Sequence, residues 1–70
     1  MTLAQVIHLL YSNTNLKARR VLWEAMGDKE KHICLGEGWY IMFRQYSGNF
    51  ARRWTPMVFD AIAVDWEVFS

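Results

Sequence analysis

The stretch Trp54-Thr55-Pro56-Met57-Val58-Phe59-Asp60-Ala61-Ile62-Ala63-Val64-Asp65-Trp66-Glu67-Val68-Phe69 decides the fold. Thr55 can accept hydrogen bonds from free amides at a helix start, and Pro56 suits the first helical position, where a missing N–H costs nothing. From Met57 to Val64 there is no Gly or further Pro. Val58, Phe59, Ile62 and Ala63 recur at helical spacing, which predicts a short helix from about Pro56 to Val64. Asp65 breaks the apolar run, and Trp66-Glu67-Val68-Phe69 alternates as a closing strand does. Asp60 is expected to face out of the helix, and Asp65 to cap or bridge at its end.

At the other end of the chain, Thr2 and Gln5 have the spacing of a capping box, with Leu3, Val6, Ile7 and Leu10 repeating at three and four residues. A first amphipathic helix is expected to run to about Tyr11, ended by the turn-forming Ser12-Asn13-Thr14-Asn15. His8 lies near the edge of its apolar stripe with no acid or nucleophile at helical spacing, so it reads as a packed or surface histidine. Leu16 to Trp23 reads as a strand, in which Arg20 and Trp23, an odd number apart, face opposite sides. Both serve one pocket only through a bulge or a second subunit; otherwise Trp23 is core and Arg20 makes a salt bridge at the rim.

Ala25 to Lys31, with Gly27-Asp28, reads as a solvated hairpin loop, and His32-Ile33-Cys34-Leu35 as a short strand. Gly36-Glu37-Gly38 turns into Trp39-Tyr40-Ile41-Met42-Phe43-Arg44-Gln45-Tyr46, a strand whose two faces are both apolar through Phe43 and therefore both expected to be buried. Helices cover one face; another copy of the chain is the simplest cover for the other. Ser47-Gly48-Asn49 turns the chain again into a strand Phe50-Ala51-Arg52-Arg53-Trp54. Phe50, Arg52 and Trp54 share a face there, which suits stacking and a forked phosphate contact to a nucleotide, and equally a cation–π ladder.

The chain has 70 residues, enough for one domain with a marginal core, since a body this small hides only about 60% of its unfolded surface. Cys34 is the single cysteine, which excludes an intrachain disulfide, and no Cys/His spacing suits a metal. His32 and Cys34 point the same way along one strand, but without a third orienting group they read as a packed thiol beside an ordinary histidine. No cofactor motif is present. Yet 53% of the residues are hydrophobic and 16% aromatic, a surplus that small scaffolds without staples place at a subunit interface or in a ligand pocket. A formal net charge of +1 provides no strong field toward nucleic acid or membrane. No apolar run approaches the roughly 20 residues of a bilayer span, and the N-terminus lacks the basic flank of a signal peptide.

The spacing of Trp54-Thr55-Pro56, Asp60, Ala63 and Asp65-Trp66-Glu67-Val68 resembles the C-terminus of the Thoeris anti-defence family, second type, small phage and prophage proteins ending in a Trp-x-Pro-Ser-x-x-Asp-Leu-Leu-Ala-x-Asp-Trp-Glu-Val run. Met57 stands where the family usually has Ser, and Ala61-Ile62 replaces the Leu pair. Arg20-Val21-Leu22-Trp23 is similar to the family's Arg-x-x-Trp strand. Relatives place a Gly before that strand; here Asn13 and Asn15 are expected to supply the left-handed conformers. Residues from about 24 to 53 match only in general pattern, and the chain looks like a trimmed member, without the longer loop and strand material many relatives carry.

The resemblance implies a non-catalytic sponge that assembles as a homo-oligomer, a dimer or tetramer with ligand pockets at subunit junctions. In the host bacterial cytoplasm it would bind a cyclic nucleotide immune signal, a cyclic ADP-ribose isomer or a cyclic dinucleotide, without degrading it. On that reading Trp23, Trp39 or Trp54 stacks a base, Arg20, Arg52 or Arg53 contacts phosphate, and Asp60 or Asp65 reads a hydroxyl or amino group. The absence of a nucleophile or metal constellation argues against an enzyme. A different class of function is a single-stranded nucleic-acid or partner-protein module using Phe50, Arg52 and Trp54, against which the near-neutral charge stands. The predicted fold is α+β: one helix, an antiparallel meander of about four strands, a short helix and a closing strand.

Overall fold

The computed structural model describes residues 1–27, 31–45 and 50–70, with the side chain of Phe50 excepted. Its elements are α1 (Leu3–Ser12), β1 (Lys17–Arg20), α2 (Val21–Ala25), β2 (Lys31–Leu35), β3 (Ile41–Gln45), β4 (Phe50–Arg53), α3 (Val58–Ile62) and β5 (Trp66–Phe69). The five strands form one antiparallel sheet in the order β4-β3-β2-β1-β5. The first four are the expected meander, and β5 returns to flank β1 after the short helix. The fold is therefore α+β as predicted.

Local chemistry sets α1. The Thr2 hydroxyl accepts from the Gln5 amide at 3.3 Å while the Gln5 side chain accepts from the Thr2 amide at 2.8 Å, completing the capping box. Val6 and Leu10 are fully buried against Ala18, Ile33, Phe43 and Trp66. These sheet residues share one face by register: Ala18 pairs with Ile33 and Val68, Ile33 with Phe43, and Arg20 with Trp66. One face of the sheet thus carries the core, and the other carries Lys17, Arg19, His32, Cys34, Met42, Arg44, Arg53, Glu67 and Phe69.

Several local expectations are corrected. The strand expected over Leu16–Trp23 stops at Arg20, and Val21–Ala25 is helical. The parity argument that separated Arg20 from Trp23 therefore does not hold. No side chain of its own caps α2; the Asp65 carboxylate does so from across the sheet, accepting from the Leu22 amide at 3.0 Å. Asn13 and Asn15 are not left-handed: among the described residues only Gly27 (φ 85°) and Trp39 (φ 60°) have positive φ. Asn13 instead accepts the Asn15 amide on its side-chain oxygen at 3.1 Å.

The helix expected from Pro56 to Val64 is confined to Val58–Ile62, with Met57 at its N-cap and no side-chain cap. Thr55 and Pro56 are spent leaving the sheet, because the Trp54 amide still pairs with the Ile41 carbonyl at 2.9 Å. Ala63, at φ −66° and ψ 150°, ends it. Trp39 and Tyr40 belong to the turn before β3 rather than to the strand. The two-sided burial expected of β3 is only partly realised: Phe43 is buried, but Met42 on the opposite face is half-buried. The hairpin over Ala25–Lys31 and the turn Ser47-Gly48-Asn49 fall partly or wholly outside the described residues, as does Tyr46. Among the described residues no helix is long and apolar enough to cross a membrane.

Candidate functional site

The sequence-predicted residues separate into three groups. The first is an ion cluster. Arg20, at the end of β1, donates from Nε to Asp65 at 2.8 Å and from Nη1 to Asp60 at 3.0 Å. Asp60 therefore turns inward rather than out of α3, and its side chain is only 16% exposed. The hydrogen bond to Asp65 raises the Arg20 pKa against the desolvation that lowers it, and Asp60 adds to the rise. Burial pushes the Asp65 carboxyl upward, but hydrogen bonds from Arg20 and the Leu22 amide outweigh it and hold the group below its ordinary value of 3.8. Both carboxylates are thus committed to fastening α3 and α2 onto β1.

This arrangement sets an acid limit. A carboxyl whose pKa is lowered by folding contributes stability that is present above its unfolded value and lost as pH falls through the folded one. The urea midpoint should accordingly be flat above about pH 5 and drop below about pH 4, and Asp65→Asn should flatten that drop. A drop of equal size in both proteins would remove Asp65 from the linkage.

The second group is aromatic. Trp66 is 3% exposed, and Trp23 and Trp54 pack edge-on against it, with centroids at 5.4 and 5.7 Å; Trp23 also meets Phe43 edge-on at 6.0 Å. The Trp66 indole N–H donates to the Asp60 carbonyl at 3.0 Å, tying this cluster to the ions. Trp23 and Trp54 are half-buried parts of the core wall, so neither presents a free face comparable to that of Trp39.

Trp39 makes the third group. It is 65% exposed and adopts φ 60°, a region that a bulky side chain enters only under constraint. The constraint is visible. The Tyr11 hydroxyl donates to the Trp39 carbonyl at 2.8 Å, and the two rings stack at 6.4 Å with 15° between planes. The Gly36 amide and carbonyl bind the Tyr40 carbonyl and Trp39 amide at 2.8 and 3.1 Å. The Tyr40 ring lies so close over Gly36 and Gly38 that an added Cβ would meet it at 3.2 and 3.0 Å. A side chain at either site would crowd the Tyr40 ring, which would have to give by a few tenths of an ångström. Beside Trp39 is a cavity of about 250 Å³ lined by Thr14, Leu35, Gly36, Glu37 and Trp39. No family model, curated protein or solved structure matches this chain.

Arg52 and Arg53 lie on β4 at the sheet edge and point to opposite faces. Arg52 sits over the Phe43 ring at 5.5 Å, and Arg53 over Tyr40 at 5.0 Å. A larger groove, about 490 Å³, runs along the outer side of α1 between Met1, Ala4, Gln5, His8 and Leu9. It is mainly apolar and has His8 as its only titratable side chain, which gives it little to recognise a polar ligand. No group of three or more His, Cys, Asp or Glu suited to a metal ion occurs among the described residues. Cys34 is half-buried, and burial raises its thiol pKa, with Arg44 and Lys17 pulling the other way. The residues missed by sequence reasoning are Tyr11 and Glu37. Only the third dimension brings Tyr11 of α1 beneath Trp39, so no local pattern could have indicated that contact.

Proposed function

We propose that this chain is a non-catalytic binding protein that captures a cyclic nucleotide immune signal, a cyclic ADP-ribose isomer or a cyclic dinucleotide. Capture takes place where copies of the chain meet, and by withholding the signal it keeps a Thoeris-type or related bacterial effector inactive. The observation that carries the reading is Trp39, held open to solvent in a costly backbone conformation and braced by Tyr11. A core indole needs no such presentation; an aromatic stacking platform does. Glu37, at the cavity wall, is placed to read a ribose diol or a base amino group. The family resemblance of the two chain ends supports the same reading.

The cavity's size supports capture at a junction. About 250 Å³ falls short of the roughly 300–1,000 Å³ of small-molecule sites, and no Lys or Arg lines it. One chain therefore houses a base, and the phosphates need cations from elsewhere. A surface suited to self-association is present: Met57, Val58, Phe59, Ile62 and Val64 around α3 are each 70 to 75% exposed. Large apolar side chains clustered in water on one short segment mark a candidate interaction surface. Phe59→Glu is expected to lower the mass measured by light scattering from that of an oligomer to that of one chain.

The direct test is native mass spectrometry and calorimetry with a panel of cyclic ADP-ribose isomers and cyclic dinucleotides. An oligomer should retain one ligand and release it intact on heating. Trp39→Gly isolates the platform, because Gly accepts φ 60° without strain. The melting temperature should stay level or rise, while affinity falls at least tenfold, as loss of about 1–3 kcal/mol of base stacking requires. Unchanged affinity would remove Trp39 from the site, and a hydrolysed ligand would replace the binding protein with an enzyme.

A further inference from the structure

Two aromatic rings grip the turn that presents Trp39. From α1, the Tyr11 hydroxyl donates to the Trp39 carbonyl, and its ring stacks on the indole. The second ring is that of half-buried Tyr40, which lies across both glycines of the turn. Its Cζ is 3.2 Å from where a Cβ would stand on Gly36, and its Cδ1 and Cε1 are 3.0 Å from the same point on Gly38. Over this ring stands the guanidinium of Arg53, with its carbon 5.0 Å from the centroid. Arg53 is exposed on the edge strand β4 and pairs with Met42, on the sheet face opposite the core. Tyr40 thereby ties the turn to β4.

We infer that Arg53 is the positioning residue of the Trp39 platform, an assignment that rests on Trp39 being where the signal is captured. By capping the Tyr40 ring, Arg53 keeps the turn closed and holds Trp39 at φ 60°. A bulky residue abandons positive φ wherever its surroundings let it. Trp39, 65% exposed, has little packing of its own to prevent that. Gly36 and Gly38 leave the turn's backbone permissive, so the constraint comes from the side chains laid over it. Tyr40 serves only while its own ring is anchored, and a planar guanidinium on an aromatic face does that. The role differs from a phosphate contact, because Arg53 acts through Tyr40 and never touches the ligand. A platform that is competent for part of the time binds more weakly in proportion to that fraction. The strain at Trp39 and the contact that opposes it are of the same order, so losing the contact should weaken binding about two- to fivefold.

The ¹³Cα and ¹³Cβ shifts of Trp39, which report its φ, test this in the ligand-free protein. In Arg53→Ala they should move toward the values of negative φ, while those of Trp23 and Trp66 stay in place. A general loss of stability would not move Trp39 alone. Calorimetry with cyclic ADP-ribose and cyclic di-AMP as probes should show the two- to fivefold weakening, and Tyr40→Phe, which keeps the ring, should bind like the parent. Tyr40→Ala should weaken binding as Arg53→Ala does, and the double variant should lose nothing more. Unmoved Trp39 shifts in Arg53→Ala, or a full further loss when Arg53→Ala is added to Tyr40→Ala, would overturn the inference. If the parent binds neither probe, capture at Trp39 is what fails, and the Trp39 shifts still decide whether Arg53 positions the turn.

Discussion

Trp66→Ala is expected to cost about 3–5 kcal/mol of stability, a larger loss than any other substitution proposed, read as a large fall in the urea midpoint. Trp66 is 3% exposed and receives the edges of Trp23 and Trp54. Truncating a buried aromatic costs about 3–5 kcal/mol. The whole stability of a domain this size is on the order of 4–10 kcal/mol, so one substitution removes a large part of it. The loss is also local to the fold's closure, because the same indole donates to the Asp60 carbonyl and starts β5. Trp66→Phe, which retains most of the ring packing and drops that hydrogen bond, should cost about 1–2 kcal/mol and keep the fold. A Trp66→Ala protein with a urea midpoint near the parent's would show that the aromatic cluster is not the core.

Arg20→Ala comes next in size, at about 2–4 kcal/mol by urea denaturation. Removing the cation strands two partly buried carboxylates, a change that costs about 3–5 kcal/mol when burial is complete. Asp65 is 31% exposed, so water recovers part of that cost. The two acids should differ in a double-mutant cycle. Asp60 is the more buried, at 16%, and neutralising it beside Arg20→Ala should restore about 1 kcal/mol. Asp65→Asn should restore less, because Asp65 also holds the Leu22 amide at the start of α2. If Arg20 and Asp60 were instead reserved for a ligand, the substitutions would lower affinity and leave the urea midpoint unchanged.

What could be read from the sequence follows how far apart the interacting residues lie. The capping box of Thr2 and Gln5 acts within one turn, and α1 was legible to within a residue at its end. The alternation of Trp66 to Phe69 likewise announced β5. By contrast, Val21-Leu22-Trp23 has the composition of a strand, yet it is helical, with its first turn capped by the distant Asp65 carboxylate. Asp60 was placed on the outside by helical periodicity alone. Its inward turn depends on Arg20, 40 residues away. In the candidate site the same limit applies: Trp39 is conspicuous as a residue type, but its exposure results from a turn pinned by Tyr11 and crowded by Tyr40.

The strand order has a consequence for how the protein is made. The inner strand β1 is flanked by β5, and Arg19 meets Glu67 across 48 residues of chain. Until Trp66 to Phe69 have left the ribosome, one side of β1 offers unpaired amides and carbonyls, and the Ala18 wall lacks its aromatic cover. The nascent chain can assemble a hairpin-linked meander but cannot close it. Closing so long a loop comes late and slowly, since its entropy must be lost before the pairing is gained. A pause that holds Trp66 to Phe69 inside the ribosome would therefore prolong the aggregation-prone interval.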